Sequence, residues 1–363
     1  MISNTTLRRL GPLRKLPLTG ALLAFAALSA ARGQTDRRTL SGDRVSIYNL
    51  AGRLRVQAGT GSQVAVEVTR GGHDAAQLKI ATGEIRGAQS LRVVYPSDRI
   101  VYREMSSRSR TQLRVNSDGT FDDKDGGNDF FGRDRVELRD SGSGLDAHAD
   151  LVVSIPKGQR ITIHWGVGDA TVSNVDGDVR VSVAAATVRS EHTRGQLRLD
   201  TGSGNVVVTD AQGDVSLDTG SGGVTVTAVR GETLEIDTGS GTLNATDIDV
   251  RTLKADVGSG GMRLSRVKAS RVSLDAGSGG MDIDLIAPVD DLSVDAGSGG
   301  VTIRLPASQG GEVDIETGSG GIDSDFAVQT THIERNALRG RIGDGRGRIK
   351  IEAGSGRVRL IKG

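Results

Sequence analysis

The stretch Leu199-Asp200-Thr201-Gly202-Ser203-Gly204 constrains this chain more than any other, because close copies of it return until the sequence ends. Copies stand at 217–222, 236–241, 255–260, 274–279, 294–299, 315–320 and 351–356, and the serines of the first seven fall 18, 19, 19, 19, 20 and 21 residues apart. A fixed period in this range belongs to chains whose units stack on one another. Period-two alternation flanks each corner, as with Leu197 and Leu199 before the first and Val206 and Val208 after it. That is strand patterning. A second glycine corner, Gly177-Asp178, Gly195-Gln196, Gly213-Asp214 and Gly231-Glu232, keeps the same period. Each unit therefore reads as strand, Gly-Ser-Gly corner, strand, second glycine corner. Such a unit is too short for a βαβ crossover and fits one turn of a solenoid whose strands pair in parallel with their equivalents one coil away. The expected fold is all-β: a single-stranded parallel β-solenoid (β-helix) of about 19-residue coils.

Inward positions are aliphatic, among them Leu234, Ile236, Leu253, Leu264, Leu274, Ile283, Leu292 and Ile303. One coil buries too little to order itself, so stacking must supply the remainder through ladder hydrogen bonds and coil-to-coil packing.

Residues 1–33 read as a secretory leader: a basic start with Arg8, Arg9, Arg14 and Lys15, an apolar run over 16–27 too short to span a bilayer, and small residues at Ser29, Ala30 and Ala31. Without its five Lys and Arg, the 46 of the chain fall to 41 against 45 Asp and Glu, a formal charge of −4. A mildly acidic chain with 2% aromatic residues lacks the basic, base-stacking footprint of a nucleic-acid binder. No cysteine occurs, which excludes disulfides, thiolate metal sites and a cysteine nucleophile.

Residues 34–102 read as a β-rich cap, with alternation at 44–50, 54–57, 64–68 and 91–94. Residues 103–148 are polar and charged and read as a flexible loop. Its acidic run 122–129 fails the EF-hand spacing, since with Asp123 first the fifth position is Gly127. Residues 149–363 read as the repeat domain. Within it Trp165-Gly166-Val167-Gly168 and Ala184-Ala185-Ala186 replace the Gly-Ser-Gly corner, and an excursion at 326–341 precedes the last unit. Arg346, Arg348, Lys350, Arg357, Arg359 and Lys362 of that unit are expected to protect an uncovered end strand from edge-to-edge pairing.

The lead-in alternation, the stretch 151–163 with Pro156-Lys157-Gly158, the serial Gly-Ser-Gly coils, and Gly340-Arg341-Ile342-Gly343-Asp344-Gly345 followed by Ile349-Lys350-Ile351 together resemble the bacterial putative-adhesin family of β-strand-repeat proteins, the domain of unknown function DUF4097. The resemblance implies an exported envelope protein, periplasmic or at the cell surface, with a β-solenoid and no established enzymatic activity. A structural or interaction role follows, with an envelope protein or glycan as partner and a monomer expected. It carries over no catalytic, cofactor-binding or metal-binding residue.

Other signals are weighed on their chemistry. The Asp-Thr-Gly-Ser runs at 200–203, 218–221 and 237–240 are similar to the aspartic-protease signature, but that chemistry needs two carboxylates sharing a proton across two lobes. His73, His148, His164, His192 and His332 lack ligand or triad spacing and read as surface or corner residues. The enzyme alternative is a carbohydrate-active β-helix, yet the outward residues Arg198, Ser216, Glu235, Lys254, Ser273, Ser293 and Asp314 are chemically mixed. Ice binding would need a regular threonine ladder, and Val207, Thr225, Asn244, Arg263, Asp282 and Thr302 are not one. Stacking should bring Asp200, Asp218, Asp237, Asp256, Asp275 and Asp295 into one column. Each is expected to accept hydrogen bonds from its own Gly-Ser-Gly corner in an Asx turn, with no metal required.

Overall fold

Glycine at the corners lets successive coils approach until backbone meets backbone. In this computed structural model, which describes residues 35–121 and 134–363, a Cβ on Gly220 would stand 2.7 Å from the carbonyl oxygen of Gly202, and one on Gly222 2.1 Å from that of Gly204. Gly222 also holds φ +130°, which side chains rarely adopt. With the corners closed this tightly, the strands pair in parallel as the period dictates. Leu199 lies opposite Leu217, Leu217 opposite Ile236, Ile236 opposite Ala255, Ala255 opposite Leu274 and Leu274 opposite Val294. These side chains join one continuous apolar core that runs from Leu40 to Leu360.

Each regular coil has three sides rather than the two expected. After the second strand the chain bends at a residue in the left-handed region: Asn174, His192, Asp210, Ala228, Asp247 and Arg266, with φ between 53° and 60°. The bend turns the next residue back inward, so that Val175, Thr193, Ala211, Val229, Ile248 and Val267 are buried. The sequence hid this corner because Ala228 and Arg266, unlike the Asn, Asp and His at the other bends, belong to residue types that rarely adopt that conformation.

The segment 34–102, expected as a separate cap, supplies a coil of the stack itself. Arg44–Ala51 pairs in parallel with Gln159–Val167, and Leu54–Ala58 with both Ala170–Ser173 and His148–Ile155. Buried Trp165 locks the two coils together by donating from Nε1 to the Gly52 carbonyl at 3.1 Å. Beyond that coil, on one side, Ala88–Val94 adds in parallel to Arg44–Ala51, and Lys79–Ile85 antiparallel to Ala88–Val94. On the other, Val64–Gly71 adds antiparallel to His148–Ile155, and then Thr35–Leu40 antiparallel to Val64–Gly71.

The stretch expected as a flexible loop also differs. Arg99–Val101, Arg110–Val115, Asp134–Arg139 and Leu145–Asp146 form a small second sheet. Its apolar face, with Ile100, Tyr102, Val136 and Leu138, packs on Tyr48, Leu50, Ala51 and Val167 to make a second core. Alternation at Leu113-Arg114-Val115 and Val136-Glu137-Leu138 was the available signal. Ala185 packs against this core, which accounts for alanines in place of a Gly-Ser-Gly corner there. The leader 1–33 and the acidic run 122–129 lie outside the described residues.

The other end departs most from the written order. Arg348–Ser355 and Val358–Lys362, the last coil in sequence, insert between the coil of Asp291–Ser298 and Val301–Leu305 and the coil of Gly311–Thr317 and Ile322–Ser324. The basic residues of that last coil therefore do not guard an open end. Three of them pair with acidic residues of the coils on either side, Arg348 with Asp291 at 3.0 Å and Arg357 and Arg359 with Asp323 at 3.3 and 3.9 Å, while Lys350 pairs with Glu352 of its own strand. The excursion 326–341 makes the cover instead: Ala337–Ile342 runs antiparallel on Gly311–Thr317, and Gln329–Ile333 antiparallel on that. Arg339 binds Asp314 and Glu316, and Arg341 binds Glu312, across the first of these seams. Among the described residues no helix is long and apolar enough to cross a membrane.

Candidate binding face

Alternation places the residue before each Gly-Ser-Gly corner motif's third position outward, and parallel register stacks those residues in a single file. Asp200, Asp218, Asp237, Asp256, Asp275, Asp295, Glu352 and Glu316 occupy eight consecutive rungs. Sequence reading found the six aspartates. It missed the two glutamates, although Ile315-Glu316-Thr317-Gly318 and Ile351-Glu352-Ala353-Gly354 carry the same motif, and their order in the file follows only from the inserted last coil. Beside this file the corner glycines carry no side chain to cover the carboxylates.

The electrostatics are unfavourable. Burial, and then Asp218, Asp256 and Glu235, raise the Asp237 carboxyl above its ordinary range, and burial with Asp256 and Asp295 raises Asp275. Carboxylates one rung apart, about 4.8 Å, repel by about 0.9 kcal/mol in water. The Asx-turn expectation fails here: among the described residues no backbone N–H donates to Asp218, Asp237, Asp256, Asp275 or Asp295. Aspartates at the other corner accept backbone N–H groups instead, but from the next coil rather than from their own turn. Asp178 accepts from Gln196 N–H at 3.4 Å, and Asp214 from Thr233 N–H at 3.0 Å. The reason is geometric, because the corner N–H groups beside the file bond to the neighbouring coil, as Gly204 N does to Ser221 O at 2.9 Å. Lys350 meets Glu352 at 2.6 Å and Arg339 meets Glu316, whereas among the described residues no ion pair reaches the five carboxylates from Asp218 to Asp295.

A second outward file runs beside the first: Thr162, Arg180, Arg198, Ser216, Glu235, Lys254, Ser273, Ser293, Lys350 and Asp314. Its start lines a shallow groove of about 400 Å³. Arg198 was legible as outward, but the Ala184-Ala185-Ala186 corner concealed the frame that places Arg180 opposite it.

The three Asp-Thr-Gly-Ser aspartates lie on successive rungs of one file rather than facing each other across a cleft. The histidines remain apart from one another. His73, His192 and His332 are exposed and lie near Asp74, Asp210 and Glu334, and half-buried His148 packs on Tyr102. His164 is the exception to the surface reading, since it is buried with its ring stacked parallel on Tyr48 at 4.5 Å. Among the described residues no group of three His, Cys, Asp or Glu side chains is arranged to hold a metal ion.

A family model described as Toastrack DUF4097 matches residues 104–360. The chain belongs to this family. The Toastrack match takes in the regular coils and three of the four strands of the small sheet, and begins after the coil of 44–58 and after Arg99–Val101. A search of curated proteins finds no match. Among solved structures, the chain is similar to a Clostridium sporogenes protein described as a "putative cell adhesion protein", at 10% identity over 91% of this chain and 99% of that one, with a TM-score of 0.21.

Proposed function

We propose that this Toastrack protein is a non-catalytic interaction module exported to the bacterial cell envelope, holding a partner along the outer face of its coil stack. The observation that carries the reading is the carboxylate file. Eight carboxylates are stacked in register, two of them raised, and among the described residues no ion pair reaches the five from Asp218 to Asp295. A chain gains no stability from such an arrangement, and local rules broken without compensation mark places kept for function. Charge spread evenly over many rungs suits contact with an extended partner, whereas catalysis needs an acid, a base or a nucleophile converging on one bond. The leader-like 1–33 supports export.

Fractionation of cells with protease shaving, followed by intact mass of the recovered protein, tests the reading. The expected result is a chain in the envelope fraction with its first 31 to 33 residues removed. A full-length chain confined to the cytosol would contradict it, and so would glycan cleavage abolished by changing one carboxylate.

A further inference from the structure

We propose that the groove at the start of the outer face binds an acidic polysaccharide through the carboxylates of its sugars. Arg180 and Arg198 stand directly opposite each other on neighbouring rungs, about 4.8 Å apart along the stack. Among the described residues neither is joined in an ion pair, and the Nε of half-buried Arg180 has no hydrogen-bond partner. Two cationic side chains rooted on neighbouring rungs repel each other, and an anion between or across them relieves that repulsion.

The surroundings select the kind of anion. The acidic groups of the groove are already engaged or removed from the pair. Asp178 faces Arg160 at 3.6 Å, Asp214 takes the Thr233 N–H at 3.0 Å, and Glu235 lies opposite Lys254 on the next rung. Asp200, two residues beyond Arg198 on the same strand face, begins the carboxylate file and closes the groove to anions on that side. What remains beside the arginines is neutral: Thr162, Gln196, Ser216 and Thr233, side chains that both donate to and accept from sugar hydroxyls. An arginine fork reads a planar carboxylate with two parallel hydrogen bonds. Two forks one rung apart match carboxylates carried by neighbouring sugars of one polymer. The groove spans the five rungs from Arg160 to Glu235 along the stack and is lined by no aromatic side chain, so stacked nucleic-acid bases have no platform in it.

The proposal rests on the interaction-module reading and names its ligand class. Calorimetric titration of the full chain with polygalacturonate, and with the same polymer fully methyl-esterified, tests it. The wild type should bind the acid form, more weakly as salt is added, and ignore the ester. The double variant Arg180→Gln, Arg198→Gln should lose at least tenfold in affinity, while Arg263→Gln, on another side of the coil, should bind as the wild type does. No binding by the wild type, equal affinity for the ester, or a double variant that binds unchanged would each overturn the assignment. Dextran sulfate bound as tightly, with the same dependence on the two arginines, would overturn the choice of sugar carboxylates. The two readings fail separately: cleavage of the polymer by the wild type would support the groove and end the non-catalytic reading, whereas an envelope-located chain that binds no polyuronate does the reverse.

Discussion

Between 197 and 278 the chain is stacked in the order in which it is written, whereas at both ends spatial neighbours come from distant sequence. Leu217 pairs one period away with Ile236, but Arg160 pairs with Arg44, and Arg348 with Asp291 across 57 residues. The difference teaches what each region must solve. A central coil has both edges covered by its neighbours, so the local period suffices to place it. An end coil has one edge bare, and exposed strand edges invite pairing with other chains. The protein meets this by returning: the coil of 44–58 is sandwiched at one end, and at the other the last coil is slotted inward beneath an antiparallel cover.

The largest effect that would sharpen this comparison is loss of the central core. Ile236 is 1% exposed, and Ile236→Asp would bury a charge between coils on both sides. A loss of about 4 kcal/mol or more is expected in chemical denaturation. The same change at Ile333, which is 69% exposed on the outer cover strand, should leave the midpoint unmoved. Next come the corners. A Cβ at Gly239 would stand 2.7 Å from the Gly220 carbonyl oxygen, while one at Gly321 meets nothing within 4 Å. Gly239→Ala should cost about 2 kcal/mol and Gly321→Ala close to nothing; equal losses would contradict backbone contact as the determinant of coil spacing.

The smallest effect concerns the carboxylate file. Because the folded Asp237 carboxyl lies above 3.8, the native chain takes up this proton more readily than the unfolded one. Stability from this group is therefore lowest at neutral pH and rises as pH falls through the raised value. Asp237→Asn should be more stable than the parent at pH 7 by about 0.5 kcal/mol after screening. The gap should close as the pH falls below about 3.8, the ordinary value. A less stable variant at pH 7 would show that the file is a stabilising device after all.

Much of this architecture is legible from residues alone, because the period fixes the parallel pairing and the alternation fixes which side chains face inward. The carboxylate file follows from the same two facts. The third corner is not legible, since Ala228 and Arg266 give no sign of a left-handed bend. The small sheet is concealed by its short strands within charged sequence. The insertion of the last coil is hidden for a deeper reason: Gly297, Gly318 and Gly354 are chemically equivalent corners, so the local pattern is satisfied equally by stacking 311–320 or 348–356 on 291–299. Only the antiparallel cover and the ion pairs of Arg348 and Arg357 to opposite flanks decide between them.

That choice can be measured directly, because the chain has no cysteine to interfere. Ser298 lies in register with Ser355, about 4.8 Å away, within disulfide reach, whereas a coil two rungs away lies beyond the roughly 7 Å limit for a bridge without backbone movement. Under mild oxidation the pair Ser298→Cys, Ser355→Cys should cross-link as completely as the control pair Ser278→Cys, Ser298→Cys, and the pair Ser298→Cys, Ser319→Cys should stay reduced. Cross-linking of 298 to 319, with 298 to 355 left open, would contradict the inserted coil and restore the simple order of the sequence.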